Sequence, residues 1–456
     1  MGLRKYFEGD FEKYKTWMLC CSRDYPQSKA ADRFFWYSVY TRARRLQKKR
    51  DAIKVVFLLN EIGAWKTEGL YLAMCRHPRF APQLIAIASE EVKNADLQMI
   101  DFLKNKGYDY TFIPQGMSLD DYDIHPDIVF YEKPYITSIH ASYHPKSLLG
   151  PLYCYTGYAF HNTDAAWNFN QPLTNICWKV FYEHKEMKRL ANAYMDNKWN
   201  GCATGIPMMD SLRISPDKVP DPWKAQSFSK KRIIWAPHHT LGNEGLMAET
   251  PLATFLDYAD EMLRLAKKYE KSVQWAFKPH PLLYDKLVKL WGEQRTRQYY
   301  NQWKDMANTQ LEEGEYVGLF KHSDAMIHDC GSFMVEYHYT LNPVMYLVRG
   351  DRDYTKGLTE MTKQGFLLHV IGHNKNDIEQ FVRNVISGKD MGRKSRQKFY
   401  RKYLIPKGKT ACDNIMYRIL TMTRKERIQY YCMELFMYIY RRRLRATGQL
   451  EPHDIL

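Results

Sequence analysis

The chain has no CxxC pair and no cysteine–histidine spacing of the kind a zinc module uses; its nine cysteines are scattered. That fits reduced thiols in a cytosolic setting better than a disulfide framework. GxxxxGK(S/T) and GxGxxG are both missing, so neither the phosphate-loop nor the dinucleotide fingerprint applies. There is no internal repeat and no low-complexity tract. Long apolar runs are lacking too: the aromatic stretch Tyr430 to Tyr440 is too short to span a bilayer and contains Glu434. The start, Met1-Gly2-Leu3-Arg4-Lys5-Tyr6, is basic without a following apolar segment, so no secretory signal is expected, and Tyr6 breaks the myristoylation pattern.

What is present is length, an ordinary apolar content and positive charge. At 456 residues and 45% hydrophobic, two globular domains are the natural expectation. The net charge of +16 is confined to the ends: residues 1–50 carry +8, residues 393–456 carry +11, and the 342 residues between carry −3. A near-neutral body argues against a nucleic-acid groove. Both ends interleave cations with aromatics, as in Phe34-Phe35-Trp36-Tyr37 before Arg42, Arg44 and Arg45, and in the run up to Arg441-Arg442-Arg443. Such segments suit an anionic membrane surface, or else pack on the body with a solvated charged face.

The body reads as two α/β units. Residues 1–50 form a basic extension, 51–212 a first Rossmann-like domain, 213–231 a proline-bearing linker and 232–392 a second Rossmann-like domain. Helices over 393–420 pack back on the body and 421–456 form a basic amphipathic tail. In the first domain, strands are expected at Ile53–Leu59, Leu84–Ala88, Asp127–Tyr131 and Leu152–Tyr155, with a helix from about Glu91 to Lys106. In the second, they are expected at Arg232–Pro237, Ser272–Phe277, Ala325–Ile327 and Pro343–Val348. Short apolar runs alternating with helices indicate mostly parallel sheets covered on both faces.

Polar signals cluster at strand ends of the second domain. They are His238 and His239 after Trp235-Ala236-Pro237, Lys278 and His280 in Phe277-Lys278-Pro279-His280-Pro281, and Asp329-Cys330-Gly331-Ser332 after Ala325-Met326-Ile327. Ligands of open α/β sheets bind outside the carboxyl ends of strands. Gly331 would allow a tight turn and close backbone approach, and Ser332 would cap a helix whose N-terminus suits a phosphate. Glu336, one turn on, could reach a ribose hydroxyl. Lysine and histidine donors around such a turn make a diphosphate site. Asp121-Tyr122-Asp123 and Asp351-Arg352-Asp353 match D-x-D but fall in polar loops, and no protein-held metal is expected; magnesium carried by donor phosphates leaves little protein signature.

These segments, with Glu336-Tyr337 and Asn342-Pro343-Val344, resemble the CDP-glycerol glycerophosphotransferase family in motif order over roughly residues 51–420. The resemblance implies a GT-B fold of two Rossmann-like domains facing a central cleft. It implies a CDP-glycerol site that includes His280, Asp329 and Ser332, with Lys278, Gly331 and Glu336 as further donor-binding candidates. The family's Ala-Pro-Thr-Trp-Arg segment is replaced here by Ala236-Pro237-His238-His239-Thr240. Its Trp-His-Gly-Thr has Tyr155-Thr156-Gly157-Tyr158 as counterpart, with His161 close by. Catalytic candidates are therefore His280, His238, His239 and His161.

The implied activity is transfer of glycerol phosphate or a similar polyol phosphate from a CDP-activated donor to a hydroxyl of a glycan or lipid-linked acceptor. No resident cofactor is expected, and the expected location is the cytoplasmic face of the cell membrane. The rivals are a GT-B glycosyltransferase using a nucleotide sugar, and a non-catalytic protein binding membrane or nucleic acid through its basic ends.

Overall fold

The structure is a computed structural model that describes residues 29–90, 95–145, 147–148, 150–241, 253–350 and 352–446. Residues 1–28 of the basic extension, the expected helix start at Glu91, Asp351 of the second D-x-D and residues 447–456 of the tail lie outside the described residues.

The chain divides into two compact units. The first holds a seven-stranded sheet in the order β3-β2-β1-β4-β5-β6-β7. Its strands are β1 (Ile53–Leu59), β2 (Phe80–Ile87), β3 (Thr111–Ile113), β4 (Ile128–Tyr131), β5 (Leu152–Thr156), β6 (Lys179–Tyr182) and β7 (Gly201–Ala203). Every pairing is parallel. β1 apart from Lys54, and all of β4 and β5, are buried because helices cover both faces.

The second unit holds a six-stranded, all-parallel sheet in the order β10-β9-β8-β11-β12-β13. Its strands are β8 (Lys231–Ala236), β9 (Val273–Phe277), β10 (Thr309–Leu311), β11 (Ala325–His328), β12 (Val344–Leu347) and β13 (Val370–Gly372). The strand order reverses between β8 and β11, the switch point at which doubly wound sheets open a crevice. An aromatic stack lies beneath those strand ends. The Trp235 ring is 5.5 Å from Phe255, 5.0 Å from Phe277 and 5.5 Å from Trp303. These bulky rings make the floor rigid, because interiors pack at crystal-like density.

The chain changes unit more often than the expected single linker requires. Residues 160–164 belong to the second unit, and from Pro406 the chain returns to the first. Much of the expected linker is packed rather than free: Trp223 is buried and donates from Nε1 to the Leu319 carbonyl at 3.2 Å.

The basic ends differ from expectation in the same way. In helix α1 (Lys29–Lys48) the residues Trp36, Val39, Tyr40, Ala43 and Leu46 are buried. They join Ile415, Ile419 and Tyr430 in the core of the first unit. That part of the N-terminal extension is core, so Trp36 and Tyr40 are not available to lipid. The C-terminal helices, α2 (Ala411–Leu420) and α3 (Arg424–Ala446), are tied down by a buried charge cluster. Glu426 pairs with Lys179 of β6 and accepts from Arg418 at 3.0 Å through both carboxylate oxygens. No helix among the described residues is long and apolar enough to cross a membrane.

Candidate functional site

The carboxyl ends of β8 and β9 bring three histidines together. His238 and His239 follow β8, and His280 follows β9 after the Lys278-Pro279 step. Their ring centroids are 4.2 to 5.2 Å apart. Local hydrogen bonds aim two of the rings. The Thr240 N–H lies 3.4 Å from His238 Nδ1, and the Leu282 N–H donates to His280 Nδ1 at 3.2 Å. An Nδ1 that accepts cannot also carry the ring proton, so neutral His280 carries it on Nε2. His238 Nδ1 also lies 3.0 Å from the Thr240 hydroxyl, and the hydroxyl's orientation sets its tautomer.

Electrostatics keep the rings neutral. Burial, then His239, His280 and Lys286, push His238 down to about 3. Burial, then His239, Lys286 and Lys278, push His280 down to about 4. At neutral pH both rings are therefore uncharged, and His280 presents an Nε2–H donor backed by ammonium groups, a favourable arrangement for the oxygens of a diphosphate.

The ring nitrogens of His238, His239 and His280 fall within 4.8 Å of one another, close enough to hold a metal ion. This corrects the expectation that no histidine cluster at ligand spacing exists, because sequence spacing could not show it. Ligation through Nε2 would require the ring proton on Nδ1, where His280 meets the Leu282 N–H donor. The donor set thus fits an anion better than a cation. In the first D-x-D, Asp121 accepts from the Ser118 N–H at 2.7 Å and Asp123 pairs with His125 at 2.9 Å.

Asp329 takes a different part from the expected one. It is buried, and its carboxylate accepts from the His238 N–H at 2.6 Å, the Thr254 N–H at 2.6 Å and the Thr254 hydroxyl at 2.8 Å. Burial pushes its carboxyl up to about 6 against those donors. Asp329 thus anchors the loop that carries His238.

The turn after β11 also departs from the sequence reading. Gly331 has no positive φ, and nothing lies within 4 Å of where its Cβ would be. Open space for a close ligand, not turn strain, is what glycine provides there. Ser332 already has helical angles and makes no side-chain cap; its hydroxyl has no partner among the described residues. The helix it opens, Phe333–Glu336, is a single turn. Glu336 is buried and hydrogen-bonded to the Tyr316 hydroxyl, and so is not the exposed carboxylate the sequence suggests. Lys278 donates to the Gly314 carbonyl at 2.8 Å.

Residues 160–164 join this turn as part of the second unit. Asn162 donates from Nδ2 to the Gly331 carbonyl at 3.0 Å, and the His161 carbonyl accepts from the Thr359 hydroxyl at 3.1 Å. His161 is therefore placed in the same unit as Gly331. Sequence reading missed Asn162, Thr254 and Lys286. Lys286 had a signal: it lies on helix Leu283–Trp291, which begins just after the Lys-Pro-His-Pro turn.

In the first unit, the switch point between β1 and β4 carries a second polar cluster. Glu132 is buried and accepts from the Asn60 N–H at 2.9 Å; burial pushes its carboxyl up to about 8. Beside it Lys133 and Glu61 pair at 2.6 Å.

The fold has clear relatives among solved structures. The wall teichoic acid polymerase TagF is 12% identical, with a TM-score of 0.54, over 94% of this chain and 99% of that one. The same polymerase soaked with CDPG gives 14% identity and a TM-score of 0.53, over 90% and 98%. A UDP-N-acetylglucosamine 2-epimerase gives 15% identity and a TM-score of 0.52, over 82% and 95%. These likenesses show a GT-B-like α/β fold built from two Rossmann-like domains. No curated protein matches the chain. The family described as CDP-glycerol:poly(glycerophosphate) glycerophosphotransferase matches residues 177–421, more than half of the chain and all of the β8, β9 and β11 strand ends. The chain belongs to that glycerophosphotransferase family.

Proposed function

We propose that the protein transfers glycerol phosphate, or a similar polyol phosphate, from a CDP-activated donor to a hydroxyl of a glycan or lipid-linked acceptor in teichoic-acid-type polymer synthesis. The observation that carries this reading is the convergence of His238, His239 and His280, with Lys286 close by, on the switch point of the second unit. The acceptor oxygen attacks the phosphorus that bears the polyol. The bond from that phosphorus to the bridging oxygen breaks, and CMP leaves with the electron pair. Charge grows on the bridging oxygen and on the phosphoryl oxygens, where preorganised donors are worth most.

In this reading His238 and His280 donate from Nε2 to the donor phosphates, and Lys286 and Lys278 supply positive potential. Asp329 positions the His238 loop, and the open space at Gly331 with the Ser332 hydroxyl receives a phosphate oxygen. Rings that carry their proton on Nε2 are donors and not bases. The acceptor proton therefore falls to His239 or His161. Magnesium, where used, would arrive on the donor phosphates.

The reading extends to the cytoplasmic face of the cell membrane, where a lipid-linked acceptor resides. It is supported by the +11 charge of residues 393–456 and by exposed Tyr431, Leu435, Tyr438 and Ile439 on α3.

A thermal-shift screen of CDP-glycerol, CDP-ribitol, CMP, UDP and UDP-sugars tests the donor, since a ligand of the folded state stabilises it by mass action. CDP-polyols and CMP should raise the melting temperature, and less so in His280→Ala. Stabilisation by UDP-sugars alone would replace this reading with a glycosyltransferase.

A further inference from the structure

We propose that a cavity in the first unit binds the phosphate headgroup of an anionic phospholipid. It has a volume of about 260 Å³ and lies where the last turns of α1 meet the loop between α2 and α3. Three cations line it, Arg44, Lys48 and Arg427, with Met422, Tyr430 and Tyr431 as walls.

The cations are prepared for an anion in two different ways. Arg44 lies over the Tyr430 ring at 4.8 Å and the Tyr431 ring at 5.7 Å, which holds its planar fork in place. Its carboxylate neighbour is Glu434 at 4.0 Å, an oxygen of which already accepts from the Tyr430 hydroxyl. Lys48 and Arg427 make no ion pair and no side-chain hydrogen bond among the described residues. The pocket thus keeps positive charge that its own walls do not neutralise.

The occupant follows from what adjoins the pocket. Tyr431, a wall, begins an exposed apolar strip that continues through Leu435 and Tyr438 on one face of α3. A cationic cup opening onto an apolar strip matches a molecule with an anionic head and an acyl body. A free phosphate would use the cup and leave the strip unexplained. This inference rests on the membrane reading above and names the site within it.

The test is sedimentation of the full chain with vesicles of phosphatidylglycerol in phosphatidylcholine, and with phosphatidylcholine alone, at low salt. The double variant Lys48→Gln/Arg427→Gln removes two pocket charges. Arg424→Gln/Arg442→Gln removes two exposed charges from the same helix outside the pocket. The pocket variant should lose at least about tenfold more partitioning than the control, because coordination adds to the general attraction of each cation. Both pairs are exposed, so neither should move the urea midpoint. If the wild type ignores anionic vesicles, the membrane reading and the pocket fall together. If it binds and both variants weaken equally, the pocket alone is wrong. If inorganic phosphate raises the melting temperature only when the pocket is intact, while vesicle binding is unchanged in the pocket variant, the ligand is a soluble phosphate and the lipid assignment fails.

Discussion

Asp329→Ala separates a positioning carboxylate from a ligand-binding one. The wild-type side chain holds two backbone N–H groups, of His238 and Thr254, each at 2.6 Å, and the Thr254 hydroxyl at 2.8 Å. Alanine leaves the buried Thr254 N–H and the part-buried His238 N–H without this acceptor, at about 1–3 kcal/mol each; the hydroxyl can rotate away. Part of that loss is returned, because a carboxylate held at the cost of desolvation is no longer buried. A net loss of about 2–4 kcal/mol follows.

The pH dependence gives an independent reading of Asp329. With its carboxyl raised to about 6 from 3.8, the folded state holds the proton more tightly than the unfolded chain. The contribution of this group is greatest below about pH 4 and falls by up to about 3 kcal/mol as pH rises through 6; the alanine variant lacks that slope. Urea midpoints across pH 4–8 measure it. Turnover should fall by about tenfold to a hundredfold as the His238 loop loosens. Unchanged midpoints at pH 7 together with a lost donor affinity would refute the reasoning and return Asp329 to the ligand.

Three further outcomes are expected. His280→Ala should lower turnover by about two or more orders of magnitude with the fold intact, the usual scale for one preorganised donor; full activity would remove it from the site. Ring-proton titration by NMR should show His238 and His280 of the free protein neutral down to about pH 5, with inflections near 3 and 4; an inflection near 6.5 would contradict the caged, neutral arrangement. Glu426→Gln should destabilise the first unit by about 3–5 kcal/mol, because it strands Lys179, which is 2% exposed. Burial opposes ionisation of Glu426, but Lys179 and Arg418 hold its carboxyl at about 2, so the wild type keeps this stabilisation above about pH 4.5 and loses it towards pH 2.

The long central strands were legible in the sequence because a sheet covered on both faces writes itself as short apolar runs; residues 55–59 of β1 and 233–236 of β8 are such runs. The three-residue strands β3, β7, β10 and β13 were not, since Thr-Gln-Leu or Gly-Cys-Ala carries no periodicity and pairs only because a neighbour offers an edge. Each histidine could be read as a strand-end residue, but their meeting depends on β8 lying beside β9, which is topology and not spacing. The surroundings of Asp329 and Glu336 were not legible in the sequence, for one reason. A carboxylate after a strand looks like a ligand group until its burial and donors show that it serves the backbone or a tyrosine. The aromatic N-terminal helix misled through its charge: cations on one face of α1 say nothing about which surface the other face covers.

Product analysis addresses the activity itself. The purified full chain is incubated with CDP-glycerol and a hydroxyl-bearing teichoic acid primer, and ³¹P NMR follows every phosphorus. The account requires CMP and a new phosphodiester resonance to grow in equal amounts, with both slowed together in His280→Ala. Release of CMP without a new diester, or formation of a glycoside with release of a nucleoside diphosphate from a sugar donor, would contradict it.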